Sequence, residues 1–495
     1  MSKTGYIAID LGAESGRVIV GTLSDGVITM HEAHRFANVP QRLPSGMHWD
    51  LLGLWGNILD GVRDAIAWAP QQGIELVSLG VDAWGVDWSL LGCNGELLGL
   101  PHCYRDERHQ VAYEKTLKRM TPERIYERTG IQFMPLNTLY QMVARFDAEP
   151  ALLENARHLL FMPDLLHYFF SKVPVIESSI ASTSQMIDPR TGDWAGSMLH
   201  ELGLPTQMLT KPVPPGTKIG KLRAEVAEYV NAPAGLQVIA PAAHDTASAV
   251  AAIPAEPGKN WAFLSSGTWS LMGVEIDEPC LTDAARAVPF TNEGGVDGTF
   301  RFLKNISGLW LVQETRRDYQ QRGESYDYAA LAELAGQAEP FRTLVNPDHP
   351  PFAQPGDMPA KIADFARETG QPVPETVGQF VRCCLESLAL TYRATLELLE
   401  QVLDRKIEVL HVVGGGGKNE LLNQMTADAI ARPTIVGPYE ATGVGNVLVQ
   451  AMGAGDVQDL AEMRQIVRAS FSPKRYEPQN TSPWDQAYDR LLQWR

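Results

Sequence analysis

A pattern of apolar strand, tight turn and apolar strand occurs twice in the sequence, and this repeat constrains the fold more than any other feature. The first copy is YIAIDLGAESGRVIV at residues 6–20, and the second is WAFLSSGTWSLM at residues 261–272. Each copy has glycine and other small residues at its turn, which is typical of a β-hairpin. Because about half the chain separates the copies, they indicate an ancient duplication of one lobe.

Strand-like and helix-like segments alternate after the hairpins, which favours α/β lobes over an all-α or all-β fold. Residues 51–68 have the apolar spacing of a helix, and a turn leads from them into a strand at residues 76–82. In the second half, a helix-like segment that begins at Val377 leads into a strand at residues 407–413. We therefore predict an α/β fold in both halves.

The chain of 495 residues is too long for one ordinary hydrophobic core, so two domains are expected. The Pro- and Gly-containing segment IPAEPGKN at residues 253–260 stands where a hinge between two lobes would lie. We predict an N-terminal lobe of residues 1–252 and a C-terminal lobe of residues 253–495, with a catalytic cleft between them.

The charge and the hydropathy of the chain narrow its partners. A formal net charge of -17, with no Lys- or Arg-rich stripe, opposes binding to nucleic acid. The most apolar stretch, residues 159–170, is interrupted by Asp164 and His167 and falls far short of the roughly 20 residues that cross a bilayer. No signal-peptide pattern precedes the first strand. We expect a cytoplasmic protein that binds small molecules.

The glycine run GGGGK at residues 414–418 raises the question of a phosphate-binding loop. A Walker A loop requires glycine at the position of Val412 and Ser or Thr at the position of Asn419. The segment GVGNVL at residues 443–448 lacks the third glycine of a dinucleotide-binding fingerprint. Walker-type and Rossmann-type sites are therefore disfavoured, and the glycine run is compatible with helix packing or with ligand approach.

The first hairpin, DLGAESGR at residues 10–17, contains the parts of a polyphosphate site. Its glycines let the backbone approach a phosphate chain, Ser15 and the turn amides can donate hydrogen bonds, and Arg17 adds positive charge. Asp10 at the strand end can hold Mg²⁺ through water. The alternative is that DLG simply ends a strand and binds nothing. The phosphate interpretation therefore depends on the second hairpin, SSGT at residues 265–268, binding the same nucleotide.

The run PAAHDTASA at residues 241–249 follows an apolar strand and opens a helix of small residues. His244, Asp245 and Thr246 therefore lie at a strand-to-helix turn. One interpretation is that Asp245 or Thr246 is the helix N-cap. The other is that Asp245 accepts a hydroxyl proton during phosphoryl transfer, because proton loss comes late in a loose transition state.

Two aspartates and two tryptophans surround a glycine in GVDAWGVDW at residues 80–88. Indoles can cover the C–H surface of a sugar while carboxylates bind its hydroxyls, so a sugar site is one interpretation. The alternative is that Asp82 and Asp87 form the carboxylate pair of a glycoside hydrolase. That alternative would leave the phosphate-type hairpins unexplained.

An ordered set of segments carries a resemblance that runs almost from end to end. The segments are AIDLGAESGRV (8–18), GVDAWGVDW (80–88), PHCYRDER (101–108), GIQFMPLNTLYQ (130–141), FMPDLLHYFF (161–170), HDTASAV (244–250), SSGTWSLMG (265–273), TNEGG (291–295), LKNISGLWL (303–311) and VVGGGGKNELLNQ (412–424). Together they resemble the FGGY carbohydrate kinases of the actin-like ATPase superfamily. A single glycine turn is unspecific, but the ordered set is very specific.

The resemblance implies two actin-like (ribonuclease H-like) α/β lobes related by duplication, with the catalytic site between them. It implies phosphorylation of a sugar with ATP and Mg²⁺. The expected acceptor is the 1-hydroxyl of L-rhamnulose, and L-fuculose and D-xylulose are alternative ketoses. An actin-like regulator that binds ATP and phosphorylates no sugar is the non-enzymatic alternative. A monomer or homodimer is expected.

Roles at single positions follow from the same resemblance. Asp245 matches the proton acceptor, and Asp10 matches the carboxylate that organises Mg²⁺, expected to act through water. The positions that match sugar contacts are Gly85, His244, Asp245, Thr246 and Asn305. The positions that match nucleotide contacts are Ala13, Glu14, Ser15, Gly16, Arg17, Thr268, Gln313 and Gly415.

Glu14 departs from the family pattern, in which a small hydroxyl residue is common at this position of the hairpin. A negative charge beside a polyphosphate weakens its binding unless the side chain points to solvent. We therefore expect Glu14 to tune nucleotide affinity.

Overall fold

The computed structural model describes residues 3–288 and 290–494 of the chain. Its strands are β1 (Lys3–Leu11), β2 (Ser15–Ser24), β3 (Val27–Ala37), β4 (Gln41–Leu43), β5 (Gly46–His48), β6 (Ile74–Ala83), β7 (Trp88–Leu91), β8 (His158–Phe161), β9 (Ile187–Asp188), β10 (Asp193–Trp194), β11 (Lys218–Lys221), β12 (Gln237–Ile239), β13 (Trp261–Ser266), β14 (Trp269–Ile276), β15 (Thr291–Gly294), β16 (Phe300–Ser307), β17 (Val409–Val413), β18 (Thr434–Val436) and β19 (Lys474–Tyr476).

Its α-helices are α1 (Leu51–Trp68), α2 (Arg108–Arg119), α3 (Pro122–Thr129), α4 (Thr138–Ala148), α5 (Pro150–Glu154), α6 (Met162–Ser171), α7 (Ser178–Ala181), α8 (Gly196–Glu201), α9 (Ala224–Tyr229), α10 (Asp245–Ala251), α11 (Asp283–Ala287), α12 (Trp310–Gln321), α13 (Tyr328–Gln337), α14 (Met358–Glu368), α15 (Val377–Leu403), α16 (Glu420–Ile430), α17 (Ala441–Ala454), α18 (Leu460–Ser470) and α19 (Ser482–Leu491).

Both predicted hairpins are present. In the first, β1 pairs antiparallel with β2, so that Asp10 lies opposite Arg17. In the second, β13 pairs antiparallel with β14. The predicted helix at residues 51–68 is α1 with the same bounds, and the predicted strands appear as β6 and β17. The alternation of strands and helices confirms the predicted α/β class.

The chain forms two compact units, and neither unit is one continuous stretch of sequence. Unit 1 consists of Met1–Pro254, Glu275–Phe302 and Ala441–Phe471. Unit 2 consists of Ala255–Val274, Leu303–Glu440 and Ser472–Arg495. Helix α17 therefore belongs to unit 1, although the sequence places it close to the carboxyl end of the chain.

The main sheet of unit 1 has six strands in the order β11-β12-β6-β1-β2-β3. Strands β1, β6 and β12 are parallel to one another, and β2, β3 and β11 run antiparallel to their neighbours. The carboxyl ends of β1 and β6 therefore meet at one edge. That edge is the usual place for ligands in α/β sheets.

A second sheet has seven strands in the order β15-β16-β14-β13-β17-β18-β19, and its last six strands repeat this arrangement. Strands β13, β17 and β18 are parallel, β14 runs antiparallel to β13, and β19 runs antiparallel to β18. The one difference in chain order is that β19 follows β18, whereas β11 precedes β12. The shared topology is what a duplication predicts.

Helices cover both faces of the unit 1 sheet. Gly61 of α1 packs on Val18, and Gly443 of α17 packs on Ile19. Val18 and Ile19 are consecutive on β2, so their side chains point to opposite faces. Helices α1 and α17 therefore lie on opposite faces, and each shields apolar strand residues from water.

Helix α15 shows how local sequence sets the bounds of an element. Thr376 and Gln379 form a capping box at its start, in which each side chain bonds to the backbone of the other. Asp404 ends it in a left-handed conformation with φ of 48°. Neither α15 nor any other helix of the described residues is long and apolar enough to cross a membrane.

Helices α10 and α17 cross closely at Gly445. A Cβ atom at Gly445 would lie 1.8 Å from the backbone oxygen of Ser248. A backbone oxygen cannot move away from the added Cβ by a change of rotamer, as the end of a flexible side chain can. This crossing therefore requires glycine at position 445. The contact fixes α10, which begins at Asp245, against α17, which carries Asn446.

We predict that Gly445→Ala destabilises the protein by about 1–3 kcal/mol, because the added methyl group forces α10 and α17 apart. The measurement is the midpoint of thermal unfolding relative to the wild type. Gly56→Ala is the matched control, since Gly56 also lies inside a helix but no described atom outside that helix's own backbone lies within 4 Å of an added Cβ. The control should be neutral or stabilised by up to about 1 kcal/mol. Equal midpoints for the two variants would contradict the prediction.

Candidate active site

Three carboxylates converge at the carboxyl edge of the unit 1 sheet. Asp10 and Asp82 are register partners at the ends of the parallel strands β1 and β6. At the next position, the backbone N–H of Ala83 donates to the carbonyl oxygen of Ala243 at 2.9 Å. That bond brings the turn before Asp245 to the same edge. The sequence predicts roles in phosphoryl transfer for Asp10 and Asp245, and a role in sugar binding or in a hydrolase pair for Asp82. The structure brings Asp82 to the same edge as Asp10.

Asp245 is the first residue of α10. His244 is the N-cap residue and its side chain makes no capping bond, so the interpretation of Asp245 or Thr246 as the N-cap is wrong. The Asp245 carboxylate instead accepts the backbone N–H of Thr246 at 2.5 Å and the Thr246 hydroxyl at 3.0 Å. The Asp245 side chain is 32% exposed, which leaves it open to a substrate hydroxyl.

Burial raises the pKa of both Asp82 and Asp245. At Asp82, burial is the main cause, the negative charge of Asp10 raises the pKa further, and the hydrogen bond from Asn446 opposes the rise. At Asp245, burial is again the main cause, His244 opposes it, and Asp10 raises the pKa further. Negative charges in this arrangement disfavour one another, so the edge favours a positively charged partner.

Arg17 supplies part of that positive charge from the neighbouring strand β2. Its Nε and Nη2 atoms donate to Oδ2 of Asp10 at 2.9 and 2.6 Å. This fork-like pairing fixes the guanidinium beside the hairpin turn, because two bonds to one carboxylate restrict its orientation. The predicted phosphate contact of Arg17 would therefore be made by a side chain that is already positioned.

The turn between β1 and β2 contains the other predicted phosphate contacts. Ala13 is half-buried, whereas Glu14 and Ser15 are exposed and Gly16 is buried. The carbonyl oxygen of Glu14 accepts the backbone N–H of Asn38 at 3.0 Å, which anchors the turn. The backbone of Glu14 is therefore held while its side chain remains in solvent.

These carboxylates fit a magnesium ion that also binds phosphate oxygens. Mg²⁺ usually keeps several waters and binds one or two protein carboxylates together with substrate phosphates. The Oδ1 atom of Asp82 is buried and has no hydrogen-bond partner within the described residues, and Arg17 donates to Oδ2 of Asp10. Over residues 3–288 and 290–494, no three His, Cys, Asp or Glu side chains could hold a metal by themselves. Binding through water and phosphate is what this donor set permits.

Asp87 serves a structural purpose. It is fully buried, and its carboxylate accepts the indole N–H of Trp49 at 2.6 Å, the indole N–H of Trp84 at 3.0 Å, the Gln141 amide at 2.8 Å and the backbone N–H of Tyr104 at 3.2 Å. Burial raises its pKa to about 6 although these bonds oppose the rise. A carboxylate enclosed in this way cannot reach a glycosidic bond, so the structure does not support a hydrolase pair with Asp82.

Gly85, a predicted sugar contact, lies in the strained loop between β6 and β7. The next residue, Val86, has a φ of 71°, which is rare for a β-branched residue. Its N–H donates to the hydroxyl of Thr183 at 3.1 Å, and its carbonyl accepts the hydroxyl of Thr138 at 2.6 Å. Strain of this kind is concentrated at functional sites, so the loop is a rigid platform suited to a ligand contact at Gly85.

The remaining predicted ligand positions lie in unit 2. Thr268 is in the turn between β13 and β14. Asn305 is on β16, and Gln313 is in the first turn of α12. Gly415 begins the short 3₁₀ turn that follows β17, and it is exposed.

The glycine run after β17 packs directly on β13. Gly414 has a φ of 86°, and a Cβ atom at Gly416 would lie 2.1 Å from the hydroxyl of Ser266. Packing therefore requires glycine at these two positions. At Gly415 a Cβ atom would meet no described atom within 4 Å. The fold imposes no such requirement there, which leaves space for a ligand.

Sequence reasoning missed a row of charged groups next to His244. The Nε2 atom of His244 lies 3.3 Å from Oδ1 of Asp245, and its Nδ1 atom lies 3.3 Å from Oε2 of Glu293. Arg301 in turn lies 3.0 Å from Glu293. The segment TNEGG contains Glu293, but a single glutamate outside any periodic pattern gives no sign of its partner.

A second missed group supports the sheet from α17. Asn446 donates to Asp82 at 2.5 Å, and Gln450 donates to the side-chain oxygen of Asn446 at 2.6 Å and to the carbonyl of Ile7 at 3.0 Å. The hydroxyl of Ser78 donates to Gln450 at 2.7 Å. The sequence contained one sign of this group, namely two amide side chains four residues apart on an apolar helix. Such residues share one face of the helix, and buried amides need hydrogen-bond partners.

Known proteins match the chain over nearly its full length. A protein named Rhamnulokinase from Bacteroides thetaiotaomicron is 45% identical over 486 residues, which cover 98% of this chain and 98% of that protein. A protein of the same name from Bacillus subtilis is 38% identical over 96% of this chain and 96% of that protein.

Solved structures share the fold at low sequence identity. Gluconate kinase from Lactobacillus acidophilus superimposes with a TM-score of 0.80 at 15% identity, covering 99% of this chain and 97% of that chain. Xylulose kinase from Rhodospirillum rubrum superimposes with a TM-score of 0.78 at 19% identity, covering 98% and 97%. The predicted fold of two actin-like domains is confirmed.

Two family descriptions match consecutive parts of the chain. The N-terminal domain of the FGGY family of carbohydrate kinases matches residues 5–252, and the C-terminal domain matches residues 262–454. These matches cover most of the sequence, and they include both hairpins and the segment around Asp245. The chain therefore belongs to the FGGY family of carbohydrate kinases, enzymes that transfer a phosphoryl group from ATP to a sugar.

Proposed function

We propose that this enzyme transfers the γ-phosphoryl group of ATP to the 1-hydroxyl of L-rhamnulose, which yields L-rhamnulose 1-phosphate and ADP. The choice of sugar is supported by the full-length relatives named Rhamnulokinase. The observation that carries the chemistry is the position of Asp245, a partly open carboxylate at the start of α10 and at the ligand-binding edge of the sheet.

Asp245 is the proposed general base. The sugar hydroxyl gives its proton to the carboxylate, its oxygen forms the bond to the γ-phosphorus, and the bond from that phosphorus to the bridging oxygen of ADP breaks. A carboxylate of modest basicity suffices, because the proton leaves late in a loose transition state. The two hydrogen bonds from Thr246 fix the orientation of the carboxylate before the substrate binds.

The proposed sugar contacts are Gly85, His244, Thr246 and Asn305. His244 places Nε2 beside the base, so one substrate hydroxyl can contact both residues. Gly85 offers backbone groups on a loop that two threonine hydroxyls hold rigid. Rigid polar groups of this kind orient a hydroxyl without a large loss of side-chain entropy.

The proposed nucleotide contacts are Ala13, Glu14, Ser15, Gly16, Arg17, Thr268, Gln313 and Gly415. In the hairpin of unit 1, Arg17 and the turn amides stabilise negative charge on the transferring phosphoryl group. Asp10 would hold Mg²⁺ through water. Bound Mg²⁺ supplies charge neutralisation at the phosphate oxygens of ATP.

We predict that Asp245→Asn lowers kcat by about 10²- to 10⁴-fold, because an amide cannot accept the proton. ATP affinity, measured by titration calorimetry, should change little because Asp245 is not a proposed nucleotide contact. Asp283→Asn is the matched control, since Asp283 is also the first residue of a helix and its side chain is 93% exposed. The control should keep the wild-type kcat. Full activity of Asp245→Asn would refute its assignment as the base.

The acceptor sugar is tested by ADP release with L-rhamnulose, L-fuculose, D-xylulose and glycerol, each at limiting concentration. We expect kcat/KM for L-rhamnulose to exceed the others by about tenfold or more, as contacts to a few hydroxyl and methyl groups permit. A preference for D-xylulose or L-fuculose would reassign the sugar and leave the role of Asp245 intact. Absence of release with every sugar would refute the proposed activity.

We predict that Glu14→Ser lowers the KM for ATP by less than about threefold, because an exposed charge interacts weakly with a ligand through water. The effect should shrink as salt is raised, since mobile ions screen the Glu14 carboxylate. Steady-state kinetics at low and high ionic strength provide the measurement. An effect that persists at high salt would contradict the prediction, since it would show that the side chain of Glu14, and not only its backbone, contacts the nucleotide.

A further inference from the structure

His244 stands between two carboxylates, and the proposed reaction assigns a role to only one of them. Its Nε2 atom faces Asp245 and its Nδ1 atom faces Glu293, each at 3.3 Å. His244 is 7% exposed and Glu293 is 5% exposed, so water has little access to the contact between them. In such a position, the partner of each ring nitrogen decides whether that nitrogen carries a proton.

Glu293 is itself fixed by Arg301. The Nη1 atom of Arg301 lies 3.0 Å from Oε2 of Glu293, and its Nε donates to the carbonyl oxygen of Gly294 at 3.0 Å. Burial by itself raises the pKa of Glu293, but the charge of Arg301 and the contact with His244 outweigh burial, so the pKa is lowered. Glu293 is therefore ionised at neutral pH.

The backbone next to His244 is held by a second buried acid. Oε2 of Glu177 accepts the backbone N–H of Ala243 at 3.0 Å and the hydroxyl of Ser179 at 2.5 Å. The Ser179 oxygen accepts the backbone N–H of His244 at 3.2 Å. With the main chain fixed in this way, the remaining freedom of His244 is the orientation and protonation of its ring.

Arg301 and His244 share one oxygen of Glu293, at 3.0 and 3.3 Å. The Nδ1 atom of His244, Oε2 of Glu293 and both terminal nitrogens of Arg301 are buried and make no hydrogen bond of ordinary geometry within residues 3–288 and 290–494. Buried polar groups are nearly always satisfied, so a set of them in one place requires an explanation. Contacts of catalytic groups are often long without substrate and shorten in its complex.

We propose that Glu293 is a positioning residue for the kinase reaction, which accepts the N–H of His244 Nδ1 and so aims Nε2 at Asp245 and the sugar. The inference rests on the proposed function, in which Asp245 is the base and His244 contacts the sugar. An ionised carboxylate only accepts hydrogen bonds, so Glu293 places a proton on Nδ1. Arg301 keeps Glu293 charged and in position.

The kinetic test uses Glu293→Gln in the full-length enzyme, because the amide keeps the size of the side chain but removes its charge. We expect kcat/KM for L-rhamnulose to fall about 10- to 100-fold, the range found for carboxylates that orient a metal-ligating histidine. The KM for ATP should stay near the wild-type value. Glu386→Gln is the matched control, since Glu386 is also a buried glutamate paired with an arginine, Arg382, at 2.7 Å. The control should keep the wild-type kinetic constants.

A second readout needs no activity. Nitrogen-15 NMR of histidine-labelled enzyme shows which ring nitrogen carries the proton, and loss of a signal in His244→Gln assigns it to His244. The wild type should carry a proton on Nδ1, and Glu293→Gln should show a smaller fraction of rings with a proton on Nδ1. If the wild type released no ADP with L-rhamnulose, the proposed function would fail, whereas the protonation of His244 would still test the inference.

Three results would overturn the role of Glu293. The first is a wild-type His244 whose Nδ1 carries no proton. The second is wild-type kcat/KM for L-rhamnulose in Glu293→Gln. The third is a joint loss of the sugar and ATP constants with a thermal midpoint well below that of Glu386→Gln, since this would mean that Glu293 only stabilises the fold.

Discussion

Negative charge at the carboxyl edge of one sheet is the constraint on which unit 1 depends. Asp10 and Asp82 are buried and Asp245 is partly exposed, and removing a carboxylate from water, even in part, costs free energy. Arg17 offsets part of that cost at Asp10, Asn446 offsets part at Asp82, and the N–H of the next residue offsets part at Asp245. The pKa values of Asp82 and Asp245 remain raised. The edge is thus left able to gain stability when a cation binds, which is the state a kinase needs for phosphate chemistry.

Helix α17 shows why this edge cannot be assembled from the first half of the chain alone. The helix packs against α10, β1 and β6, and glycine at position 445 allows the close crossing with α10. Asn446 and Gln450 then satisfy polar groups of the sheet that apolar packing would leave without partners. A segment near the carboxyl end of the sequence therefore helps to hold Asp82 in place. Substitutions in α17 should change the position or the pKa of that carboxylate.

Local patterns predicted the elements, whereas the partners of buried polar groups were beyond them. The hairpins and α1 follow from turn residues and apolar periodicity, which act over a few residues, and both were confirmed. Asp87 and Asp82 looked equivalent in the sequence, but Asp87 is enclosed by donors that include Trp49 and Gln141, from distant segments. The contact of Glu293 with His244 could not be predicted either, because the two residues are far apart in the sequence and only the fold brings them together. The ligand roles of individual residues remain predictions.

The environment of Asp245 has two opposing effects on its proposed role as a base. Its place at the start of a helix and the N–H of Thr246 favour the ionised form that can accept a proton. Burial and Asp10 favour the neutral form and so make the carboxylate more basic. Because phosphoryl transfer needs the proton to leave only late, strong basicity adds little, and the direction in which the carboxylate and its neighbour point matters more. In the proposed reaction, the buried charges beside His244 restrict the orientation of its ring, and orientation is the property that matters more than basicity.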